Sequence, residues 1–547
     1  MNFTIFWICI ITIIGFVLRF IGLDKDGGLW NDEYISWFIA SAPTFKGFVD
    51  GILSQCHMPL YYIYLKIVML IGGDNDLVLR FSSIIPAVAS IPVMYMVGRE
   101  KTKFTGLMCA LFTALSSFLI YYSQEVRFYT LLFLFSALSL YFTIRILKKP
   151  NKKNFIGLII SNFLILFTHT IGFVYVFFDI IFICYYLRHS YKKIVNLITV
   201  FSGVTLVIAS PLIIKIFTTV SFSQWWAQFS FRRIIQLFSD YFTPVLSKSL
   251  LLENLNSIDF NSICLILPLF LVFIVFFAII LDKNIRRESK LGLIALGTFI
   301  VLIIASMSGK LVLEAKYAIE IYPILIFLFC ATIDFSEKVL WFKILLFTFF
   351  FGFQVLYIIS PNYASFLPRE EGNKYVAKLI KSANLKNDDF IILTYYPKNR
   401  FEKYINFDKY NVIEIHKGNF NEYFTPEISY KEAVKSGKQK YKGAFVNSIR
   451  PVNEFTGDKL IDEINENVYY KMKKGQKVAF LFLDSVSFLD ENIFANILTN
   501  QKAYKNAPLL FLIFSDIRNE IIKTLPVNTK NMRYEVAGSW TLVSFEY

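Results

Sequence analysis

Long apolar runs alternate with short polar connections over the first 360 residues. About eleven runs are close to the ~20 residues with which a helix crosses the hydrocarbon core of a bilayer. They cover residues 3–21, 79–97, 104–122, 128–147, 155–168, 171–187, 194–215, 263–281, 291–307, 317–333 and 341–359. A further run, 59–71, begins with Pro59, contains Lys66 and is too short for a full crossing. The pattern predicts a polytopic α-helical membrane protein.

The pattern changes near residue 360, beyond which no run is long enough to span a bilayer. Helical periodicity is present near 371–384 and 488–502. Short apolar segments typical of strands cover 390–396, 411–415, 477–483 and 534–546. We therefore predict a transmembrane domain over residues 1–360 and a small α/β domain over residues 361–547. The pattern does not predict the strand order.

The composition of the chain supports a membrane protein. The chain is 55% hydrophobic, 18% aromatic and only 18% charged, which is typical of membrane proteins and excludes an ordinary soluble one. The formal net charge of +15 raises the question of nucleic acid. The basic residues instead form short tracts between apolar runs, as cytoplasmic loops do, so we expect no nucleic-acid partner. The first run lacks a basic leader and a cleavage site, and we interpret it as a retained helix.

The basic tracts predict the topology. They follow the runs 79–97, 128–147, 171–187 and 263–281, and a weaker tract follows 317–333. All of them lie in the cytoplasm if the run 59–71 is an interfacial or re-entrant helix rather than a crossing. The N-terminus is then cytoplasmic, and residues 361–547 form an extracytoplasmic domain on the outer side of the plasma membrane.

Apart from the basic tracts, this topology places the polar clusters at the ends of the apolar runs on the outer face. The outward segments include loops 22–78 and 216–262, and the polar clusters are Asp32-Glu33, Gln55 to Pro59, Tyr121 to Arg127, Thr168 to Thr170 and Lys310 to Tyr317. Ionisable groups at a membrane surface are costly to leave unpaired, so we infer a shared outward-facing site. The alternatives are solvated surface acids, helix caps at Glu125 and Arg127, and an aromatic belt in loop 216–262.

Sequence motifs exclude several other chemistries. The chain has no phosphate-binding glycine loop, no GxSxG nucleophile motif, no CxxC and no HExxH. Five of the six cysteines fall inside apolar runs, so neither a structural disulfide nor a zinc site is indicated. No cytoplasmic segment is large enough to bind a nucleotide. An enzyme working on the outer face would need a donor that is already there, such as a lipid-linked one.

The order of the polar motifs resembles that of the GT-C membrane glycosyltransferases. Arg19 closes the first run, and the motifs that follow are Leu29-Trp30-Asn31-Asp32-Glu33, His57-Met58-Pro59-Leu60-Tyr61-Tyr62, Leu79-Arg80-Phe81-Ser82, Gly98-Arg99, Tyr122 to Tyr129 and Thr168-His169. Within that class the order is most similar to the branch of protein O-mannosyltransferases and aminoarabinose transferases. The motifs resemble those of the family over residues 1–180, and over residues 181–360 only the arrangement of apolar runs does. Residues 361–547 show no resemblance to the family.

The resemblance implies transfer of a sugar from a polyprenyl phosphate to a lipid, glycan or protein acceptor. It implies that Asp32 is the catalytic base and that Glu125 assists. Glu33 is a further candidate catalytic residue, which could orient Asp32, bind a cation or hold a nearby basic residue. We expect the donor phosphate and substrate to contact His57, Tyr61, Tyr122, Gln124, Arg127, His169, Lys316 and Tyr317. The family commonly has two prolines after the residue corresponding to His57, where this chain has Met58-Pro59, and an Arg-Tyr pair where it has Lys316-Tyr317.

A single base that activates the acceptor on the side of the anomeric carbon opposite the leaving group predicts inversion at that carbon. A divalent cation is optional, because a phosphate monoester leaving group should need less help from a metal than a nucleotide diphosphate does. Two other functions remain open. A flippase or transporter of lipid-linked sugars should show internal repeats, which are not evident. A polymerase or ligase of surface glycans would use similar substrates with arginine-rich outer loops.

Overall fold

The computed structural model describes residues 3–24, 27–54, 58–188, 203, 210, 231–242, 290–307, 313–335, 340–359, 372–393, 398–414, 464–483, 530–537 and 540–546. The chain forms two compact units. The first contains Met1–Leu23 and Ile35–Leu367, and the second contains Asp24–Tyr34 and Pro368–Tyr547. The short segment Asp24–Tyr34 thus belongs with the C-terminal residues, which the sequence did not lead us to expect.

Helices make up the described part of the first unit. Most of them coincide with the apolar runs, and the exceptions are Asn31–Ser41, Phe45–Leu53 and Phe231–Phe242, which lie in the expected outward loops. Their bounds are α1 Phe3–Phe20, α2 Asn31–Ser41 (which begins in the second unit), α3 Phe45–Leu53, α4 Leu60–Gly72, α5 Asp76–Arg99, α6 Lys103–Leu115, α7 Ser117–Ser123, α8 Tyr129–Lys148, α9 Lys152–Thr168, α10 Gly172–Leu187, α11 Phe231–Phe242, α12 Gly292–Met307, a 3₁₀ helix Ala315–Ile321, α13 Tyr322–Phe335 and α14 Leu340–Ile359. The expected runs 194–215 and 263–281 lie outside the described residues.

Four helical segments are long and apolar enough to cross a membrane: α1, α5, α8 and Ala315–Asp334. The pair α6 and α7, bent by 53°, makes a fifth if it is one span. These figures concern the described residues alone, so eleven crossings stay a prediction. Helix α4 has 13 residues, which at 1.5 Å per residue makes it about 20 Å long, against about 30 Å for the hydrocarbon core. This length agrees with an interfacial or re-entrant helix.

Side-chain caps explain where several helices begin. Asn75 accepts a hydrogen bond from the Val78 N–H ahead of α5, Thr102 does so from Thr105 ahead of α6, and Asn151 does so from Asn154 ahead of α9. Each cap satisfies one of the first N–H groups of a helix, which have no partner within it.

The bend between α6 and α7 is held from two sides. In a continuous helix the Ser117 N–H would bond to the Thr113 carbonyl, but here it donates to Gln354 Oε1 on α14 at 2.9 Å. The freed carbonyls of Thr113 and Ala114 accept instead from the Arg19 guanidinium on α1, at 2.8 and 2.9 Å. Because these backbone groups are buried, the bend requires partners from outside its own helix.

The basic tracts that follow α5 and α8 lie at one end of the bundle. Glu100, just after α5, pairs with Arg145 at 3.2 Å and with Lys148 at 3.3 Å, and both bases belong to the last turn of α8. Lys101 donates to the Ala331 carbonyl on α13 at 3.2 Å. Partly exposed pairs of this kind contribute little stability, but they bring the C-terminal ends of three helices together.

The second unit is built on a five-stranded sheet. Its strands are β1 Phe390–Leu393, β2 Asn411–Glu414, β3 Lys477–Leu483, β4 Lys530–Ala537 and β5 Trp540–Glu546, and helix α15 is Asn373–Ser382. Their order is β2-β1-β3-β5-β4. Strand β1 is parallel to both β2 and β3, whereas β5 is antiparallel to both β3 and β4. The expected strand region 534–546 is therefore two strands. The expected helix 488–502 lies outside the described residues.

Candidate functional site

Three segments far apart in sequence meet in the first unit through a column of rings. Phe128 precedes α8, His169 follows α9, and Tyr317 lies in the 3₁₀ helix. The His169 ring stacks on Phe128 with centroids 4.5 Å apart and lies parallel to Tyr317 at 6.4 Å. Three of the polar clusters expected from the sequence are therefore brought to one end of the helices, opposite the end that carries Glu100 and Lys148.

Arg127 lies beside this column and is only 5% exposed. Its guanidinium carbon is 5.2 Å from the Phe128 ring centroid, and its Nη1 donates to Ser36 Oγ at 3.4 Å. Its carbonyl accepts from Ser83 Oγ at 3.2 Å, while Thr130 Oγ1 donates to the Ser83 carbonyl at 2.8 Å. These bonds join α5 to the start of α8, so a permanent positive charge is held in a largely dry position.

His169 is electrically neutral at physiological pH. Burial, with a smaller contribution from the nearby Arg127 guanidinium, lowers the pKa of His169 to about 3. Its Nδ1 accepts from the Ile171 N–H at 3.3 Å, which leaves Nε2 as the atom that carries the proton. His169 therefore provides a neutral donor and a ring surface, and the positive charge of the cluster comes from Arg127 and Lys316.

Lys316 is the second cation near the column. Its Nζ is 2.9 Å from Glu314 Oε2 and 5.1 Å from the centroid of the Tyr317 ring. The hydroxyls of Tyr122 and Tyr129 are within electrostatic range of the ammonium group, and their rings are in edge contact at 4.8 Å. Lys316 thus lies among hydroxyl groups and one carboxylate, and it remains partly exposed.

Tyr61 connects α4 to this region. Its ring is 1% exposed and meets the Phe128 ring edge-on at 6.3 Å. Its hydroxyl lies near Ser82, Ser83 and the charge of Arg127. The other residue expected from this motif, His57, lies outside the described residues.

Gln124 and Glu125 are both buried. The Gln124 side chain has a structural function, because its Nε2 donates to the carbonyls of Arg19 at 3.0 Å and Ile21 at 2.6 Å and so caps the end of α1. Glu125 is 2% exposed and interacts electrostatically with Tyr122. Of these two neighbours, Glu125 is the better candidate for contact with substrate.

Asp32 and Glu33 belong to the second unit. Both lie in the first turn of α2, where negative charge is favourable. Glu33 is fully buried, and its Oε2 accepts from the Trp30 N–H at 3.2 Å, which is the reciprocal bond of a capping box. Asp32 is half-buried. The two acids therefore differ in environment: Glu33 stabilises the helix start, while Asp32 keeps access to solvent.

Two buried acids were not identified from the sequence. Asp179 on α10 accepts from Ser139, Thr143 and Asn162 at 3.2, 2.8 and 3.0 Å, which joins α8, α9 and α10. Glu320 is fully buried, and among the described residues neither of its carboxylate oxygens has a hydrogen-bond partner. A single acid inside an apolar run is the signal that could have identified each of them.

A metal site is not formed by the described side chains. No three of their His, Cys, Asp and Glu residues lie close enough together to hold an ion.

Residues 56–214 match the family described as dolichyl-phosphate-mannose-protein mannosyltransferase. That range includes Tyr61, Glu125, Arg127 and His169 but ends before Lys316 and begins after Asp32. The crystal structure of ArnT from Cupriavidus metallidurans in the apo state is similar over 98% of this chain and 97% of its own, with a TM-score of 0.54 and 11% identity. The chain has the GT-C fold of membrane glycosyltransferases.

Two further structures share the GT-C fold. ArnT from the same organism bound to undecaprenyl phosphate covers 98% of this chain and 98% of its own, with a TM-score of 0.51 and 11% identity. The oligosaccharyltransferase of Archaeoglobus fulgidus in the apo form covers 100% of this chain and 88% of its own, with a TM-score of 0.51 and 11% identity. At this identity the likeness concerns the fold. No curated protein sequence matches the chain.

Proposed function

We propose that this GT-C protein transfers a sugar from a polyprenyl-phosphate donor to a lipid, glycan or protein acceptor on the outer face of the plasma membrane. The observation that carries the proposal is the meeting of Arg127, His169 and Lys316 around one ring column at one end of the helices. The family match and the ArnT structure that holds undecaprenyl phosphate support a lipid phosphate as the donor group.

The cations would act on the leaving group. As the bond between the sugar C1 and the phosphate oxygen breaks, its electron pair stays on the phosphate. Arg127 is pre-placed and largely desolvated, so its charge stabilises the developing dianion more strongly than it would in water. Lys316 adds a second point charge, and Tyr122 and the neutral His169 offer hydrogen bonds without a net charge. The product on the donor side is the free polyprenyl phosphate.

The acid assignments rest on the motif pattern. Asp32 would remove the proton from the acceptor hydroxyl or amine as that atom attacks C1, with inversion of the anomeric centre. Glu125 would assist at the sugar or acceptor. The buried capping bond of Glu33 favours an orienting function for that residue over proton transfer. Eleven crossings, a cytoplasmic N-terminus and an extracytoplasmic C-terminal domain complete the proposal.

Asp32→Asn in proteoliposomes tests the function. The liposomes are supplied with radiolabelled polyprenyl-phosphate sugars and a panel of hydroxyl and amine acceptors. We expect transfer to fall by about 10²-fold or more, since a positioned general base contributes roughly 10²–10⁴. Asp50→Asn, which removes an exposed carboxylate on α3, is the matched control and should transfer at the unmodified rate.

Full transfer by Asp32→Asn would overturn the catalytic assignment. Movement of labelled lipid between the leaflets without sugar transfer would favour a flippase. A reporter fused after residue 365 tests the topology separately, because it should be active only outside the cytoplasm.

A further inference from the structure

The acidic segment that carries Asp32 is assembled on the C-terminal domain. Residues Asp24–Tyr34 belong to the same compact unit as Pro368–Tyr547, whereas Ile35, the next residue of helix α2, belongs to the other unit. Two hydrogen bonds of the segment are made by backbone atoms alone, so the side chains of the motif could not predict them. The contacts occur at three places.

The first contact is at the N-terminus of α15. The N–H groups of Asn373 and Lys374 donate to the carbonyls of Leu29 and Gly27, each at 3.0 Å. N–H groups in the first turn of a helix have no acceptor within it, and Gly372 supplies no side-chain cap. The segment therefore provides the missing acceptors. Gly372 itself must be glycine, because a Cβ there would overlap the Gly27 carbonyl.

The second contact is Tyr404, whose hydroxyl accepts from the Leu29 N–H at 2.9 Å. Leu29 is fully buried, so this donor cannot exchange its partner for water. The backbone turns at Gly28, where φ is +69°, and a Cβ at that position would lie 2.8 Å from the Tyr404 hydroxyl. The turn and the tyrosine are therefore fitted to each other.

The third contact is on the other side of Asp32. The Tyr34 hydroxyl donates to the Asn399 carbonyl, in the 3₁₀ turn Lys398–Arg400. Arg400 ties that turn to α15, because its Nε donates to Asn373 Oδ1 at 3.1 Å and its carbonyl accepts from Asn373 Nδ2 at 3.3 Å. Asp32 is thus flanked by two anchors: Leu29 is held by α15 and Tyr404, and Tyr34 is held by the 3₁₀ turn that Arg400 ties to α15.

We propose that the C-terminal domain positions the catalytic base and that Tyr404 is a positioning residue for Asp32. This inference rests on the proposed function, in which Asp32 removes the acceptor proton. The domain then acts on the rate of the chemical step, in addition to any contact it makes with an acceptor. Displacement of a reacting group by about 1 Å can cost on the order of 10²-fold in rate, so loss of one anchor should be visible in kcat.

The test is Tyr404→Phe in the full-length protein, reconstituted and assayed for sugar transfer. Phenylalanine keeps the ring and removes the hydroxyl that holds Leu29. We expect kcat to fall by roughly 10-fold to 100-fold while the KM for the lipid donor stays within about twofold. Tyr470→Phe, at a tyrosine that is 79% exposed in the same domain, is the matched control and should leave both constants unchanged.

Two further measurements distinguish a loss of Asp32 positioning from unfolding of the domain. The thermal midpoint of Tyr404→Phe should show that the domain is folded at the assay temperature. Tyr34→Phe, which removes the second anchor, should also lower kcat with little change in the donor KM. If Asp32→Asn abolishes transfer but both tyrosine variants keep the unmodified kcat, the inference fails and the proposed function stands. If Asp32→Asn transfers sugar normally, the proposed function fails first.

Discussion

Arg19→Met tests how the bend between α6 and α7 is held. Methionine has a similar length but no donors, so the carbonyls of Thr113 and Ala114 lose the bonds that Arg19 makes at 2.8 and 2.9 Å. The third acceptor, the Gly15 carbonyl, lies one turn back on the same helix and keeps its helical partner. Arg19→Met therefore leaves two buried carbonyl oxygens without a hydrogen-bond donor.

The magnitude follows from those two groups. Leaving a buried acceptor without a partner costs about 1–3 kcal/mol. Hydrogen bonds between helices in a membrane protein are measured nearer 0.6 kcal/mol, because the unfolded state in lipid also finds partners. For two carbonyls, and with the packing of a large buried side chain retained by methionine, we expect a loss of about 1–4 kcal/mol in the free energy of unfolding.

Reversible unfolding in bicelles would measure this loss. Arg99→Met is the matched control, since Arg99 is exposed at the end of α5, and its stability should stay within about 0.5 kcal/mol of the unmodified protein. Gln354→Leu, alone and combined with Arg19→Met, completes a double-mutant cycle, and the two losses should be non-additive because both side chains hold one bend. A loss for Arg19→Met no larger than that of the control would refute the reasoning.

Three other outcomes can be measured. Gly28→Ala should destabilise the second unit by about 1–3 kcal/mol in thermal unfolding, since alanine disfavours a φ of +69° and its Cβ would crowd Tyr404. Gly475→Ala is the control: φ is also positive there, but no atom lies within 4 Å of the added Cβ, so this variant measures the cost of positive φ alone. Burial lowers the pKa of His169 from about 6.5 in the unfolded chain to about 3 in the folded protein. Stability should therefore fall by up to roughly 1.4 kcal/mol per pH unit as the pH decreases from 6.5 toward 3, because the unfolded chain binds a proton that the folded protein does not. His169→Phe should flatten that slope, and an unchanged slope would contradict a buried neutral imidazole. Lys316→Gln should raise the donor KM more than Lys46→Gln, an exposed lysine on α3, in the same transfer assay.

Hydrophobic runs predicted the long helices of the described residues, because a helix in lipid satisfies its backbone groups internally and needs an unbroken apolar stretch. They did not predict α2, α3 and α11, which lie in the expected loops. The bend at Ser116 was hidden inside one such run, 104–122. Its cause lies in Arg19 and Gln354, whose distances from it along the chain carry no local signal. The α/β character of the second unit was also predictable from alternating short elements. The division of 534–546 into two strands was not foreseen, although Gly538-Ser539 is a recognisable turn signal.

The candidate site was predictable in part. Polar clusters at the ends of apolar runs indicated that Arg127, His169 and Tyr317 belong to one face. The His169 ring contacts Phe128 and Tyr317, and the Arg127 guanidinium lies over the Phe128 ring. The sequence could not show that His169 is neutral, because burial rather than a neighbouring residue type lowers its pKa. Nor could it distinguish Glu33 from Asp32, since their environments differ in burial and in the bond that Glu33 accepts from the Trp30 N–H.

The contact between Leu29 and Tyr404 has a consequence for how the molecule is made. The two residues are 375 positions apart in the chain. At roughly 5–20 residues per second of synthesis, the acidic segment waits about 20–75 s for its partner to leave the ribosome. By the end of that interval the helices of the first unit have been synthesised, while the Asp32 segment still lacks its contact with Tyr404. A chain that ends between residues 360 and 404 would therefore contain every described helix of the first unit without the Tyr404 contact, so assembly of the acidic segment is a late step in biogenesis.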